Sequence, residues 1–445
     1  MRFSTAELAV QLRGELVGQD VTVDGASIDS RLVAKGQLFI PIMAERDGHE
    51  FVPAALEAGA AAYLTSHPPV GGTAIVVEDT RGALTALGAL ARSRVAAHVV
   101  GITGSVGKTT TKDLVAGCLA ASYRTAASVR SLNNELGVPL TLLNAPDAVE
   151  WIVLEMGARG PGHIQELADL TRPDVGVVTS VSLAHIEFFG DLDGVARAKS
   201  ELVTSLPTNG LAILNFDDAL VHRMAERSPC PVLGYGMAAT ADVTAEDVAF
   251  DDDLEPRFTL VSPWGRAAVA LRLHGAHQVG NALAAAAAAL WGGVPLDAVA
   301  AALGAVSPSS MRMDLRRPAV GPVLIVDCYN ANPASLQAAL HSLAALGALR
   351  KVALLGPMAE LGAETEREHD RIATIAQELG IEVIGYRTAL YGPDRVDTVG
   401  DAVERMRVLS HSDALLIKGS RVVCLEDAVA AYGTAIGESS LTPPL

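Results

Sequence analysis

Gly101-Ile-Thr-Gly-Ser-Val-Gly-Lys108-Thr109-Thr110 lies between an apolar run, His98-Val99-Val100, and a helical pattern formed by Leu114, Val115, Cys118 and Leu119. A strand that feeds a glycine-rich turn and then a helix lines up backbone N–H groups at the helix N-terminus, where the dipole favours anions. The spacing predicts a phosphate cradle in which Lys108 reaches the terminal phosphates and Thr109 offers its hydroxyl to a magnesium ion. Ile102 stands where the strict G-x-x-x-x-G-K-[ST] pattern has its first glycine, so the match is to a shorter G-x-x-G-K-T-T form. A tight turn with a merely solvated lysine is the plainer alternative; the order strand, glycines, Lys-Thr, helix favours the cradle.

A chain of 445 residues exceeds one ordinary core and implies about three domains. Half of the residues are apolar and only 4% aromatic, so the cores are expected to be built from Ala, Val and Leu. A net charge of −17 argues against a general nucleic-acid or membrane-surface partner, because polyanions are repelled. A phosphorylated substrate must then be held by local donors and metal ions. Cys118, Cys230, Cys328 and Cys424 are far apart and have no disulfide or metal-ligand spacing, which fits a reducing cytoplasm. The first residues carry no apolar targeting segment. The most apolar stretch, residues 282–299, is interrupted by Gly292, Gly293, Pro295 and Asp297 and predicts two buried helices and a turn, not a membrane span.

The pattern predicts an α/β protein of three domains. Residues 1–94 mix short strands (Val21-Thr-Val-Asp-Gly, Gly36-Gln-Leu-Phe-Ile) with a helix opening at Val52, and the polar clusters Asp29-Ser30-Arg31 and Asp47-Gly48-His49 read as turn chemistry. Residues 95–311 alternate strand and helix, which predicts a mostly parallel sheet with helices on both faces. Its strand Trp151-Ile-Val-Leu154 ends in Glu155, and Val175-Gly-Val-Val178 runs on through Ser180 to His185. Ligands sit beyond the carboxyl ends of such strands, so Glu155 and His185 should share an edge with Lys108. Taken as residues alone, Lys199 reads as an ordinary surface lysine and His185 equally as a turn histidine. Asn281 opens the alanine-rich helix, where its amide reads an adenine edge or caps the helix. Periodicity breaks at Ser307-Pro-Ser-Ser-Met-Arg312, a hinge into residues 312–445. There the strands end in Asp327-Cys-Tyr-Asn-Ala-Asn-Pro333, Gly356-Pro-Met358 and Lys418-Gly-Ser-Arg421, a second, Rossmann-like layer facing a cleft. No G-x-G-x-x-G follows its first strand, which argues against a dinucleotide site.

These residues, in this order, resemble the Mur ligases of peptidoglycan synthesis over nearly the whole chain. The resemblance rests on Asp29-Ser30-Arg31 with Asp47-Gly48-His49, Thr103-Gly-Ser-Val-Gly-Lys-Thr-Thr110, Leu132-Asn133-Asn134, Glu155-Met-Gly157, Ala184-His185 with Ala196-Arg-Ala-Lys199, His277 with Asn281, and the three carboxyl-edge motifs of the last domain. The Tyr-Asn-Ala-Asn-Pro and Met-Ala-Glu-Leu-Gly pieces favour the dipeptide-adding branch. Ser131, Ser180 and Gln278 depart from asparagines usual in the family, and the first domain departs at Pro41 and Ala44.

The resemblance implies an enzyme that joins a carboxylate to an amine with ATP and magnesium through an acyl phosphate. It implies UDP-N-acetylmuramoyl-tripeptide and D-Ala-D-Ala as substrates and a monomeric, cytoplasmic protein without nucleic-acid or membrane partners. Lys108, Glu155, His185 and Lys199 are then the catalytic residues. Thr103, Gly104, Ser105, Val106, Gly107, Thr109, Thr110, Asn281, Arg312, Asp327 and Tyr329 hold ATP. The implied metal ligands are Thr109, Glu155, His185 and Lys199, the last as a carbamate, which reverses the surface reading of that lysine. Ser30, Arg31, Asn133, Asn134, Asn330, Lys418, Ser420 and Arg421 are expected to bind the other substrates, and the third domain is expected to close over ATP. Two further readings are a relative with another amine acceptor and a P-loop regulatory module. No Asn-Lys-x-Asp guanine-reading motif supports the latter.

Overall fold

The computed structural model describes residues 1–129, 132–183, 186–438 and 441. Its centre is a six-stranded sheet in the order 232–235, 211–215, 175–178, 98–103, 151–155, 125–127, parallel at every pairing. Valine and isoleucine fill the strands His98–Thr103, Trp151–Glu155 and Val175–Val178, which are buried on both faces, as a helix-covered parallel sheet requires. The parallel register carries Thr103, Glu155 and Val178 to one edge, with Ile102 paired to Glu155 and Thr103 to Val178. Glu155 and the phosphate loop are delivered from that edge.

The alanine-rich stretch forms two helices, His277–Trp291 and Leu296–Ala305, and among the described residues no helix is long and apolar enough to cross a membrane. Small side chains let His277–Trp291 lie close against Lys108–Ala120, so the phosphate-loop helix is sandwiched between the sheet and a second buried helix.

The first 94 residues hold a five-stranded mixed sheet (15–17, 74–76, 62–65, 38–39, 26–27) and the helix Thr80–Arg94, which Asp79 caps by accepting from the backbone N–H groups of Arg81 and Gly82. Strands expected over 21–25 and 36–40 shorten to Thr22–Asp24 and Leu38–Phe39. This unit has a small cluster of its own around Phe39, Val52, Ala55 and Tyr63, and shares its larger core with the central domain. Leu8, Leu38, Leu64 and Leu84 belong to one hydrophobic cluster with Val99, Leu142, Ile152 and Leu154 of the central domain. Gly88 sits under Pro139, where a Cβ would come within 2.7 Å of the proline ring, so the helices Thr80–Arg94 and Gly137–Asn144 touch closely.

Past the hinge, Met311 and Met313 adopt φ of 60° and 48°, and the chain enters a second six-stranded sheet in the order 314–316, 323–326, 414–418, 351–355, 382–386, 395–396. All its pairings are parallel except that of the first strand. Asn332 and Ser335 form a reciprocal capping box with Pro333 at the first helical position, so the helix Pro333–Ala345 starts just beyond the first carboxyl edge. The last domain is docked on the centre. Arg317 pairs with Asp253 at 2.6 Å, the Glu187 N–H donates to the Glu360 carbonyl at 3.4 Å, and Leu183 and Leu254 pack with the last domain's apolar cluster.

Candidate active site

The two carboxyl edges face each other across a cleft of about 1370 Å³, larger than a single small-ligand pocket. The cradle on its floor has the geometry that its sequence predicts. Gly104 has φ 149°, and a Cβ there would fall 1.8 Å from Thr179 Oγ1. Gly107 has φ 84° as the residue before the helix, and a Cβ there would fall 2.6 Å from Asn281 Oδ1. Gly107→Ala is therefore expected to weaken ADP binding roughly tenfold while costing on the order of 1–2 kcal/mol of stability, which titration calorimetry and thermal melting will separate.

Lys108 folds back over the loop, donating to the Gly104 carbonyl at 2.8 Å. Burial lowers its pKa, as does the Arg312 charge, while Glu155 opposes the shift. Glu155, only 2% exposed, is held at both oxygens: Thr109 Oγ1 donates to Oε2 at 2.7 Å and Asn133 Nδ2 to Oε1 at 2.8 Å. A buried carboxylate joined to a hydroxyl at the mouth of a phosphate loop is an oxygen-only donor set suited to a hard cation such as Mg²⁺. Lys199 is 5% exposed on the helix Leu192–Thr204. Desolvation, with the neighbouring Lys108 charge second, lowers its ammonium pKa to about 7. The surface-lysine reading is thus overturned by packing. His185 lies outside the described residues.

Of the residues expected around ATP, Ser105, Val106, Thr110, Asn281, Arg312, Asp327 and Tyr329 line the cleft with the loop. Thr103 does not: it is wholly buried as the last residue of its strand. The Arg312 guanidinium stacks over the Tyr329 ring at 4.2 Å, with Arg421 on the same ring at 5.8 Å. Asn281 joins Thr111 Oγ1 and Gln278 Oε1 beneath Gly107.

Several residues expected to bind substrate also have partners within the protein. Lys418, 1% exposed, is a buried strut rather than a projecting charge. Its ammonium donates to Asp327 Oδ2 at 2.6 Å and to the Asn330 carbonyl at 3.0 Å, while Asp327 Oδ1 accepts from the Met313 N–H at 3.2 Å. The pair fixes the hinge to the second sheet. Ser420 Oγ is likewise internal, accepting from the Ala359 N–H at 2.9 Å. Asn134 lines the cleft but uses its side-chain carbonyl to cap the helix Gly137–Asn144. Arg31, with its side chain 85% exposed, closes on Asp29 through two hydrogen bonds, and neither it nor Ser30 lines the cleft. Asn330, Lys418, Ser420 and Arg421 do line it.

Sequence reasoning missed Arg81, Arg159 and His163, which line the cleft from the first and central domains, the two guanidinium groups bringing positive charge to its wall. Arg81 follows a helix cap and Arg159 lies in a loop, so no local pattern marks either. A second cluster, Asp47 with His49 and His67, brings its ligand atoms within 4.8 Å of one another. The rings stack at 4.1 Å and 20°, so their lone pairs lie in nearly parallel planes that no single ion shares, and His49 Nε2 already accepts from the Ser66 N–H. This group is a hydrogen-bonded turn, not a metal centre.

A phosphate loop, a buried acid joined to its threonine and a low-pKa lysine, all facing a docked Rossmann-like wall, define a P-loop enzyme of the nucleotide-using class. Residues 102–289 match the Mur ligase middle domain and residues 311–421 the Mur ligase, glutamate ligase domain. The chain is 36% identical over 441 residues to the UDP-N-acetylmuramoyl-tripeptide–D-alanyl-D-alanine ligase of Escherichia coli, covering 96% of this chain and 97% of that one. It is 40% identical over 419 residues to the protein of that name from Mycobacterium tuberculosis, covering 84% and 82%. Among solved structures it superposes on MurF from Acinetobacter baumannii with a TM-score of 0.86 at 29% identity, covering 97% and 99%. MurF from Thermotoga maritima in complex with ADP gives 0.82 at 25% identity, covering 94% and 98%. The chain belongs to the Mur ligase family and is a ligase.

Proposed function

We propose that this chain uses ATP and Mg²⁺ to join D-alanyl-D-alanine to UDP-N-acetylmuramoyl-tripeptide, acting as a cytoplasmic monomer. The observation that carries this reading is the meeting of Thr109 and Glu155 at 2.7 Å beside Lys108 and Lys199, opposite a wall supplied by another domain. The tripeptide carboxylate attacks the γ-phosphorus and ADP leaves. The dipeptide amine then attacks the acyl carbon of the resulting acyl phosphate, inorganic phosphate leaves, and the nitrogen loses its extra proton.

The first step brings two anions together, so positioning and charge neutralisation dominate the catalytic need. Lys108 and the loop N–H groups hold the triphosphate. Thr109 and Glu155 would hold Mg²⁺, the family resemblance adds His185 as a further ligand, and the ion would supply further neutralisation of phosphate charge. Arg81, Arg159 and His163 hold the anionic nucleotide-sugar peptide. Tyr329, between two guanidinium groups, and Asn281 take the nucleoside end of ATP. An α-amino group of pKa about 7.7–8.0 is already neutral to the extent of about a tenth near pH 7, so the second step needs no strong base.

A coupled ADP-release assay that crosses UDP-muramoyl peptides with D-Ala-D-Ala and with single amino acids tests the proposal. Turnover is expected only when tripeptide and dipeptide are both present. Sustained release over many turnovers without an amine would favour a nucleotide switch, and release with a single amino acid would favour a sibling acceptor.

A further inference from the structure

The helix Thr365–Glu378 reads as polar, yet His369 on its first turns is fully buried. Both ring nitrogens are engaged with main chain: Nδ1 faces the Thr365 carbonyl at 2.6 Å, and Nε2 lies 2.9 Å from the Met358 N–H. A carbonyl can only accept and an N–H can only donate, so the ring is the neutral Nδ1–H tautomer. Burial lowers its pKa, against the Thr365 carbonyl and the Glu368 and Asp370 charges, and the Tyr391 ring packs beside it at 4.9 Å.

Met358 belongs to segment 356–362, which leaves the strand Lys351–Leu355 at its carboxyl end. This segment is pinned residue by residue. Tyr391 OH donates to the Gly356 carbonyl at 3.0 Å, the Ser420 N–H to the Pro357 carbonyl at 3.1 Å, His369 accepts from Met358, and Ser420 Oγ accepts from Ala359. Next comes Glu360 with φ 63°, a left-handed conformation that is unfavourable for a non-glycine residue and persists only where its surroundings impose it. Held in this form, Glu360 lines the cleft and its carbonyl accepts from the Glu187 N–H of the central domain. The segment stands two strands away from the edge that carries Asp327 and Tyr329, roughly 10 Å at the usual strand spacing. It therefore borders the cleft at a distance from the nucleotide end, on a side that the ligase reading leaves open for the incoming amine.

We propose that His369 is a positioning residue for the amine acceptor: its imidazole pins segment 356–362 so that Ala359 and Glu360 form the acceptor wall of the cleft and dock on Glu187. This rests on the ligase reading above. His369→Leu retains an apolar body but gives the Met358 N–H no acceptor, and Tyr391→Phe removes only the hydroxyl that holds Gly356. For His369→Leu, the KM for D-alanyl-D-alanine is expected to rise roughly tenfold, with kcat and the KM values for ATP and UDP-N-acetylmuramoyl-tripeptide unchanged within about twofold. Tyr391→Phe is expected to move the dipeptide KM alone, by a smaller factor. His369→Gln, which offers both a donor and an acceptor, should recover part of the loss. An unchanged dipeptide KM, or an equal rise in all three KM values, overturns the proposal. Should the leucine variant not fold, Tyr391→Phe decides by the same split. Were the wild-type protein to turn over with another amine, the dipeptide reading would fail on its own and the split would be measured on that amine.

Discussion

Lys199→Ala is expected to lower kcat by on the order of 10²–10³-fold, the usual cost of removing one preorganised charge-stabilising group, while leaving the melting temperature nearly unchanged. The two outcomes have one physical origin. The ammonium is almost fully desolvated and lies near the Lys108 charge, so its protonated form is held at a cost to the fold, and truncation relieves that cost as it removes methylene packing. With a pKa of about 7, the amine is about half neutral at pH 7, against roughly one in two to three thousand for an unperturbed lysine. Only the neutral amine can take up carbon dioxide, forming a carbamate with release of one proton. On the proposed reading the product is a carboxylate-like oxygen donor in the same cleft as Thr109 and Glu155. The sign for pH follows: carbamate occupancy and activity rise as pH increases through about 7 and fall together below it, and added bicarbonate should matter most on the acid side. In the alanine variant a small carboxylate such as acetate can enter the vacated space and restore part of the rate. A variant that stays fully active without any additive would remove Lys199 from the metal site.

Lys199 also shows where sequence reading stops. The phosphate loop is legible because all its determinants are contiguous: an apolar strand, glycines where φ is positive, a lysine and threonine, then a helical period. Glu155 is legible for a related reason, since a buried parallel strand of known direction can end only at the edge where Lys108 lies. Lys199 and His369 each lie on the buried face of an amphipathic helix, the first with Val195, Ala198, Leu202 and Val203 and the second with Ile372 and Ala376, but helical spacing does not say what a buried polar group meets there: the Lys108 charge for one, the Met358 N–H for the other. Lys418 shows the converse limit: at its strand's carboxyl end it lines the cleft, but its ammonium is already bonded to Asp327, which follows the neighbouring strand Val323–Val326. The first domain was legible as an α/β unit but not as part of a shared core, because contacts such as Gly88 with Pro139 join helices some fifty residues apart in sequence. Local chemistry is written locally; the charge state of a side chain is set by its neighbours in space.

That dependence makes the effect of Lys108→Ala larger than the loss of one phosphate contact. The direct effect is on the transfer step: the ammonium meets charge that develops on the transferring phosphoryl group, and its removal should slow acyl-phosphate formation by roughly 10³-fold or more. The loop N–H groups and the turn at Gly104 and Gly107 remain, so ATP affinity should fall much less than kcat, the signature of an interaction made mainly in the transition state. Rapid-quench measurement of ADP formed from ATP and UDP-muramoyl tripeptide without amine reads this step alone. The indirect effect passes through Lys199. Since the Lys108 charge helps depress the Lys199 pKa, its removal should raise that pKa and shrink the neutral fraction at pH 7. A carbon-13 carbamate signal from labelled bicarbonate should then weaken in Lys108→Ala at pH 7 and recover as the pH is raised. The double variant should cost less than the sum of the two single losses, because one of the two already impairs the group that the other removes. Unchanged turnover would mean that the opening loop does not hold the reacting phosphates, whereas a lost rate with an undiminished carbamate signal would separate the two lysines and leave Lys108 with its phosphate role alone.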